Sequence, residues 1–350
     1  MSNEVDVPKG IDAPAVEAWL LANVERLRGP LRFSLISGGH SNITYFVDDA
    51  AGYRCVMRRP PLAKGAARAN DVGREYRVMK AIHGTKVPVP EQLAHCTDES
   101  VNGAEFYVMA CLPGHVVANP SVVERVLTTT ASRQRASEQI VDVMADMHTL
   151  DVDAIGLGAA AKREAFLDRQ LTRMSSVWES TKTRELPLMD AVQKELFDRK
   201  PEQRYTGIVH SDYRMGNVMF DESGTLTGVL DWELWTLGDV LADVAFLLNN
   251  WYEPGETGPN VWMEIPPTMA GGFWTREQAL DRYRHQTGFD LSDIDYYRAF
   301  SYWKHAVLAE GVKRRYDTGA MASSNVDFAH LNQRVIDAAT FAAERLGLAV

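Results

Sequence analysis

Residues 209–220 read VHSDYRMGNVMF and place a His, an Asp and an Asn in one short polar loop between two apolar ends. A surface turn would use Asp and Asn for local hydrogen bonds and would need no apolar flank on either side. The flanks predict two strands that hold the loop rigidly, as a catalytic loop must be held. His210, Asp212 and Asn217 are therefore the first candidate functional residues.

The spacing His-x-Asp-x-x-x-x-Asn matches the catalytic-loop pattern of phosphoryl-transfer enzymes. A further acid, Asp231, follows at the end of an apolar strand in VLDWELW. The pattern predicts that Asp212 orients an attacking hydroxyl and accepts its proton. Asn217 and Asp231 offer the oxygen ligands that Mg²⁺ prefers, whereas His210 is predicted to hold the loop by hydrogen bonding. Two unrelated polar turns are the alternative.

Composition limits the classes of function. The 350 residues suffice for two lobes, and the formal net charge of −10 argues against nucleic-acid binding, which relies on basic patches. The segment VLADVAFLL is too short to span a bilayer, and the N-terminal residues lack a secretory signal pattern. Three cysteines without metal-ligand spacing favour reduced thiols. We therefore expect a cytoplasmic protein without nucleic-acid or membrane partners.

Apolar periodicity divides the chain into three parts. Residues 1–30 predict an N-terminal helix (Pro14–Leu27) that packs on the core, residues 31–111 a β-rich lobe, and residues 112–350 a mostly helical lobe. The N-lobe strands are expected in RFSLIS, ITYFVD, YRCVMR and EFYVMA, with one helix over Val72–His83. In the helical lobe, helices are expected over Ser137–Leu150 and Ile294–Tyr316, and strands around 206–209, 218–220 and 226–230.

The motif HSDYRMGN followed by GVLDWELWTLGD resembles the aminoglycoside phosphotransferase-like family, small-molecule kinases that share the protein-kinase architecture. VMRRPP, REYRVMKAI, VPVPEQL and FYVMACLPG are similar to a branch whose kinase domains are also found fused to acyl-CoA dehydrogenases. The resemblance runs from about Leu31 to Asp243. It implies an α+β, bilobal protein-kinase-like fold, in which a small β-rich N-lobe precedes a larger helical C-lobe with the catalytic loop, metal site and acceptor pocket.

By matching position, the resemblance makes Asp212 the catalytic base and Asn217 and Asp231 the magnesium ligands. It implies that Glu233, in the same turn as Asp231, assists through water. The other catalytic-loop candidates are His210 and Arg214.

The resemblance also implies a nucleotide site in the N-lobe. The turn in SGGHSNITYFV would cover phosphates with backbone N–H groups, although it is not G-x-G-x-x-G and an ordinary hairpin is the alternative. Its candidate residues are Gly38, Gly39, His40, Ser41 and Asn42. The segment Met109, Ala110 and Cys111 resembles the hinge whose backbone groups bind adenine.

In YRCVMRRPP the resemblance puts Arg58 where protein kinases have lysine. Strand alternation sends Val56 and Arg58 to one face, so that Val56 packs on adenine and Arg58 reaches the phosphates. Glu75, on the N-lobe helix, would pair with Arg58. The alternative is an exposed network of Glu75 with Arg74 or Arg77.

The chain after Asp231 indicates the acceptor. WELWTLGD leads directly into an apolar helix, without the long activation segment that cradles a polypeptide in protein kinases. We therefore expect ATP- and Mg²⁺-dependent phosphorylation of a small-molecule hydroxyl, and the resemblance suggests a hydroxy acid or hydroxyacyl-CoA. The alternatives are an antibiotic (aminoglycoside or macrolide) phosphotransferase and an inactive nucleotide-binding pseudokinase. Glu310 and Arg314 would either face the acceptor pocket or form a surface ion pair, and homodimer formation stays open.

Overall fold

The computed structural model describes residues 8–36, 42–62, 71–256, 265–318 and 328–349. The chain divides into two compact units, the first formed by Met1–Pro113 with Thr227–Glu233 and the second by Gly114–Leu226 with Leu234–Val350. The glycine turn with its candidates Gly38, Gly39, His40 and Ser41 lies outside the described residues.

The first unit is built on an antiparallel five-stranded sheet with the strand order β1-β2-β3-β5-β4. Its strands are β1 (Arg32–Leu35), β2 (Ile43–Asp48), β3 (Arg54–Arg59), β4 (Gln92–Cys96) and β5 (Phe106–Ala110). Its helices are α1 (Ala13–Asn23), α2 (Val72–Ile82) and α3 (Glu99–Asn102). The sequence pattern did not predict β4, because this short strand alternates half-buried polar residues with small buried ones.

Helix α1 is shorter than the sequence predicted. Asp12 caps its N-terminus, and Val16 and Leu20, four residues apart, are fully buried in the core cluster beside the sheet. The helix ends at Asn23 and not at Leu27. Leu27 still belongs to that cluster, although it lies in non-helical chain after the helix. The apolar pattern in the sequence therefore continues past the end of the helix and made the predicted helix too long.

Helix α2 carries an acid on its buried face. Asp71 accepts a hydrogen bond from the Arg74 N–H and caps the helix. Its buried residues include Val78 and also the acid Glu75, whereas Tyr76 is only half-buried. A carboxylate is therefore carried into the interior of the first unit.

The second unit is mostly helical. Its helices are α4 (Pro120–Val126), α5 (Thr130–His148), α6 (Phe166–Thr181), α7 (Pro187–Asp198), α8 (Leu241–Asn249), α9 (Arg276–Thr287), α10 (Ile294–Asp317) and α11 (Phe328–Leu346). Its short strands are β6 (His115–Val116), β7 (Thr206–Val209), β8 (Val218–Phe220) and β10 (Thr236–Asp239), while β9 (Leu226–Val229) crosses the boundary of the units. Strand β7 pairs with β10, and β6 with β8, both antiparallel.

Helix α5 begins seven residues earlier than the Ser137 of the prediction, because Thr129 and Ser132 form a capping box. In the second unit, α10 packs against α6, α7, α8 and α11. Within the described parts of the chain, no helix combines the length and the apolar character needed to cross a membrane.

Candidate active site

The loop after β7 is anchored by Asp243, an acid in the first turn of α8. Asp243 is fully buried, and its carboxylate accepts hydrogen bonds from the backbone N–H groups of His210 (2.6 Å) and Ser211 (2.8 Å). Ser211 has a φ of +72°, which side-chain-bearing residues rarely adopt. The two charge-assisted bonds hold the loop in this strained conformation.

A buried histidine completes the anchor. His148, near the C-terminal end of α5, places Nε2 3.5 Å from Asp243 Oδ2 and Nδ1 2.7 Å from the Tyr283 hydroxyl. These partners tie α5, α8 and α9 to one point behind the loop. His148 thus has a packing role. Asp243 had no predicted role, although an acid within the apolar run VLADVAFLL signals a buried carboxylate that needs donors.

Asp212 and Asn217 contact each other directly in this loop. The Asn217 amide donates from Nδ2 to Asp212 Oδ2 (2.6 Å) and to the Asp212 backbone carbonyl (2.9 Å). Arg214 Nε lies 3.5 Å from Asp212 Oδ1. Both N–H groups of the Asn217 amide are used in these bonds, so only its amide oxygen is left for another partner. The Asp212 carboxylate is partly exposed.

His210 contacts the loop and the core around it. It is fully buried, its Nδ1 lies 3.3 Å from the Asp212 backbone N–H, and its ring packs edge-on against Tyr213. The Tyr213 hydroxyl donates to the Ile140 carbonyl (2.9 Å). These contacts suit a residue that supports the loop.

A pocket of about 230 Å³ opens beside Asp212 within the second unit. Its polar lining comprises Ser211, Asp212, Asp243, Ser301, Lys304 and His305. The other walls are apolar and come from Phe166, Val209, Leu234, Ala242, Phe246, Phe300 and Leu308. The candidate base therefore lies in the wall of a small, mostly apolar cavity.

The predicted acceptor-pocket residues on α10 lie elsewhere. Glu310 is fully buried and accepts hydrogen bonds from the Thr183 N–H (3.0 Å) and hydroxyl (2.5 Å), with Arg184 3.4 Å away. Arg314 is exposed. Neither residue lines the pocket described above, and the predicted Glu310–Arg314 ion pair is not formed, because Glu310 points into the interior.

In the first unit, Arg58 is surrounded by three carboxylates. Its Nε lies 3.0 Å from Glu75 Oε2, and its Nη2 lies 2.7 Å from Asp231 Oδ1 and 3.7 Å from Glu233 Oε2. Burial works to lower the pKa of Arg58, but the surrounding carboxylates outweigh it and raise that pKa. The guanidinium is therefore a fixed positive charge that holds Asp231 beside α2.

Glu75 is buried and satisfied on both oxygens. Tyr107 donates to Oε2 (2.9 Å) and Asn42 to Oε1 (2.5 Å). Burial raises the pKa of Glu75 to about 7, against the opposing effect of Arg58. The predicted Arg58–Glu75 pair is thus present, and the alternative of an exposed network with neighbouring arginines is wrong. Asn42, predicted near phosphates, directs its side chain to Glu75.

The segment Thr227–Glu233 belongs to the first unit, which the predicted lobe boundaries did not include. The Val229 N–H donates to the Pro88 carbonyl (2.8 Å), and the Trp232 indole donates to the Val229 carbonyl (3.0 Å). Asp231 has a φ of +63°. These bonds and the Arg58 ion pair hold Asp231 in a conformation that an unconstrained Asp seldom adopts.

The hinge candidates lie at the end of β5. Met109 is buried opposite Val56, and the Ala110 N–H donates to the Glu91 carbonyl (2.8 Å), so it is not free to bind a base. Cys111 follows β5 and is half-buried. The adenine contact of these hinge candidates stays a prediction.

We expect Arg58→Met to lower the free energy of unfolding by about 3 kcal/mol, because it leaves Glu75 buried without its counter-charge. The loss should be larger at pH 8 than at pH 5. Folding raises the pKa of the Glu75 carboxyl from its usual value of about 4.5 to about 7, so the folded state binds this proton more tightly than the unfolded state. The free energy of unfolding therefore falls as the pH rises from about 4.5 through about 7. Urea unfolding at both pH values measures this.

The matched control is Arg54→Met on the same strand, since Arg54 forms an exposed ion pair with Asp48. That variant should cost below about 1 kcal/mol. Equal losses in the two variants, or a larger loss at pH 5, would contradict the argument.

Comparisons with known proteins agree with this arrangement. Residues 32–288 match the profile described as "Phosphotransferase enzyme family". The chain is 30% identical over 298 residues to acyl-CoA dehydrogenase family member 10 of Mus musculus, covering 85% of this chain and 28% of that protein. It spans only 28–41% of the length of the first such relatives.

Solved structures give the same picture of the fold. A candidate aminoglycoside phosphotransferase of Ralstonia eutropha JMP134 superposes with a TM-score of 0.82 at 32% identity, covering 96% of this chain and 98% of the other. A mutant of aminoglycoside phosphotransferase APH(4)-Ia, solved with ADP and hygromycin B, superposes with a TM-score of 0.61 at 16% identity, covering 96% of this chain and 100% of the other.

The predicted α+β, protein-kinase-like fold of these phosphotransferases is therefore confirmed, as is the prediction of an enzyme. The roles predicted for individual site residues stay predictions. The profile covers most of the chain and includes both the Asp212 loop and Asp231. The chain belongs to the phosphotransferase enzyme family.

Proposed function

We propose that this enzyme transfers the γ-phosphoryl group of ATP, in the presence of Mg²⁺, to the hydroxyl of a hydroxy acid or hydroxyacyl-CoA. The observation that carries the proposal is the anchored Asp212 carboxylate in the wall of a small apolar pocket. Three cysteines that are unpaired in the described structure suit a reducing compartment, and we propose a cytoplasmic location.

Asp212 is proposed to act as the base. The acceptor oxygen attacks the γ-phosphorus, a new O–P bond forms, the bond to the leaving ADP breaks, and the hydroxyl proton passes to the Asp212 carboxylate. Asn217 holds that carboxylate through its amide N–H, and His210 and Arg214 support the loop around it. Positioning is the main contribution that the protein must make to phosphoryl transfer.

The donor set suits magnesium. In the second unit, Asn217 has an amide oxygen left over after its two N–H bonds. In the first unit, Asp231 and Glu233 carry carboxylates. Hard oxygen ligands of this kind, one or two of them carboxylates, are what Mg²⁺ takes from a protein when phosphates and waters complete its shell. When bound, the ion would neutralise charge on the phosphate oxygens.

The nucleotide roles in the first unit rest on the family motif. Arg58 supplies a forked cation for phosphate oxygens, as arginine can in place of lysine. Glu75 fixes Arg58 in place. Val56 packs on the adenine ring, and the Cys111 amide binds the same ring.

An antibiotic phosphotransferase is the second candidate, since the solved relative with 32% identity is described as a candidate aminoglycoside phosphotransferase. Aminoglycosides are polycations and need a pocket lined by unpaired acids. Two acids of the second unit, Glu253 and Glu256, are both bound to Arg276. The pocket beside Asp212 is also smaller than the roughly 300–1,000 Å³ typical of drug-sized ligands. The first observation argues against a polycationic acceptor, and the second suits a small acyl group in the pocket.

A substrate screen with Mg-ATP tests the proposal. ADP release would be followed with hydroxy acids, hydroxyacyl-CoA thioesters, aminoglycosides, macrolides, choline and homoserine. We expect turnover with a hydroxy acid or its thioester. Turnover with an antibiotic alone would overturn the acyl proposal, and nucleotide binding without turnover of any hydroxyl compound would favour a pseudokinase.

Removal of divalent metal should abolish turnover. With excess EDTA we expect ADP release with the best acceptor to fall by at least about 10³-fold, because the developing phosphate charge loses its main neutralising partner. Adding Mg²⁺ in excess of the chelator should restore the rate, whereas Ca²⁺, which is larger and less strictly octahedral, should restore little of it. Undiminished turnover in EDTA would contradict the assigned metal role of Asn217 and Asp231.

A further inference from the structure

The pocket beside Asp212 contains a cation, the ammonium of Lys304. Lys304 lines this pocket from α10 and is half-buried. No hydrogen bond or ion pair joins its ammonium to another residue in the described ranges. Lys313, on the same helix, shows the usual arrangement, since it binds Asp317 (2.5 Å) and the Thr183 hydroxyl (2.9 Å).

The surroundings of Lys304 do not compensate its charge fully. Burial lowers the pKa of the Lys304 ammonium, and the nearby cation Arg173 lowers it further, while Asp243 and Asp212 act in the opposite direction. Asp243 already carries two backbone N–H bonds, and Asp212 accepts from Asn217. A half-buried ammonium without a close partner is costly unless a ligand supplies one.

The walls of the pocket indicate the rest of the ligand. Phe166, Phe246 and Phe300 give it an aromatic interior. Leu234 and Leu308, which are 54% and 46% exposed, add apolar side chains that remain open to solvent. One end of the ligand must therefore offer an oxygen to Lys304, another must present a hydroxyl to Asp212, and the carbon chain between or beyond them must be apolar.

We propose that Lys304 is the specificity-determining residue for the acceptor and that its ammonium binds an acyl oxygen of the hydroxyacyl compound. The oxygen belongs either to the carboxylate of a free hydroxy acid or to the carbonyl of its thioester. The inference rests on the proposed function, because it assumes that Asp212 activates the hydroxyl of the same ligand. It explains why the mostly apolar pocket beside Asp212 carries a lysine.

The test compares acceptors that differ only in the acyl oxygen. Free hydroxy acids with the hydroxyl on carbon 2, 3 or 4, and their CoA thioesters, would be assayed against the diols of the same chain length. Wild type should favour the best acyl acceptor over its diol by about 10- to 100-fold in kcat/KM, the range expected for one hydrogen bond to a charged donor. The better of the free acid and the thioester identifies the source of the oxygen.

Lys304→Met should remove this preference. The kcat/KM for the acyl acceptor should fall by about 10- to 100-fold, mainly through KM, while the value for the diol changes by less than about threefold. Lys304→Arg should recover part of the loss. Arg314→Met, which removes an exposed cation from the same helix, is the matched control and should leave KM for both acceptors unchanged.

The outcomes separate the inference from the proposed function. Equal losses for acyl acceptor and diol, carried by kcat, would overturn the inference and make Lys304 a positioning residue for Asp212. A wild type that does not distinguish the two acceptors would overturn it as well. A wild type that phosphorylates no hydroxyacyl compound would instead refute the proposed function, whatever the variants do. Thermal unfolding of each variant shows whether a loss reflects folding.

Discussion

Asp212→Asn should lower kcat for the best acceptor by about 10²–10⁴-fold, the usual contribution of a general base, with little change in the KM for ATP. Asparagine has nearly the same shape as aspartate, so the Asn217 amide can still reach an oxygen at this position (2.6 Å in the wild type). What disappears is the carboxylate that takes the hydroxyl proton. Steady-state ADP release and the binding of a nucleotide analogue together measure the effect.

The control for Asp212→Asn is Asp221→Asn, another loop acid of the same unit. Asp221 is bound to Ser223 and to backbone N–H groups of its own turn and lies outside the pocket. We expect wild-type kcat in that variant. If Asp212→Asn retained more than about a tenth of the wild-type kcat, the assignment of Asp212 as the base would fail.

Asp243→Asn should have the largest effect on stability. Its carboxylate is fully buried and accepts the His210 and Ser211 N–H groups, with His148 behind it. An amide offers one oxygen for these two donors and turns a donor of its own toward the other. We expect the free energy of unfolding in urea to fall by about 3–5 kcal/mol, as when a buried charged partner is removed.

The same variant should also lose activity below its unfolding temperature. The Ser211 φ of +72° is held by the Asp243 bonds, so the loop should relax and move Asp212. Asp190→Asn is the matched control, because Asp190 is an exposed acid in the first turn of α7. That variant should cost below about 1 kcal/mol. A stable, active Asp243→Asn enzyme would contradict the view that this acid holds the catalytic loop.

Much of the site could be predicted because its candidate residues lie close together in the sequence. His210, Asp212 and Asn217 occur within one loop, so the sequence already brings them close together. The strands on either side, β7 and β8, follow from the apolar flanks. The ends of the N-lobe strands β2, β3 and β5 were predicted within one residue.

What the sequence did not reveal depends on distant contacts. Asp243 anchors the loop from 32 residues away, and only its place in an apolar run hinted at that. The pairing of β10 with β7 was missed, because Thr236–Asp239 reads as a turn before a helix. Lys304 was overlooked for the same reason, since helical spacing cannot tell a cation in a pocket from one in solvent.

Helix boundaries and buried acids also separate what the local sequence indicates from what distant contacts decide. Capping at Thr129 lengthened α5, and core burial made α1 seem longer than it is. Asp239 is fully buried and accepts a hydrogen bond from the Tyr297 hydroxyl (2.5 Å). Burial raises the pKa of Asp239, as expected of an acid that serves packing.

The short path from Asp231 to α8 has a regulatory consequence. Between them the chain forms only a single 3₁₀ turn, Trp232–Leu234, and strand β10. This stretch contains one hydroxyl side chain, Thr236, in the strand that pairs with β7. It is too short to form the activation segment whose ordering switches many protein kinases. We therefore expect no switching of that kind between Asp231 and α8.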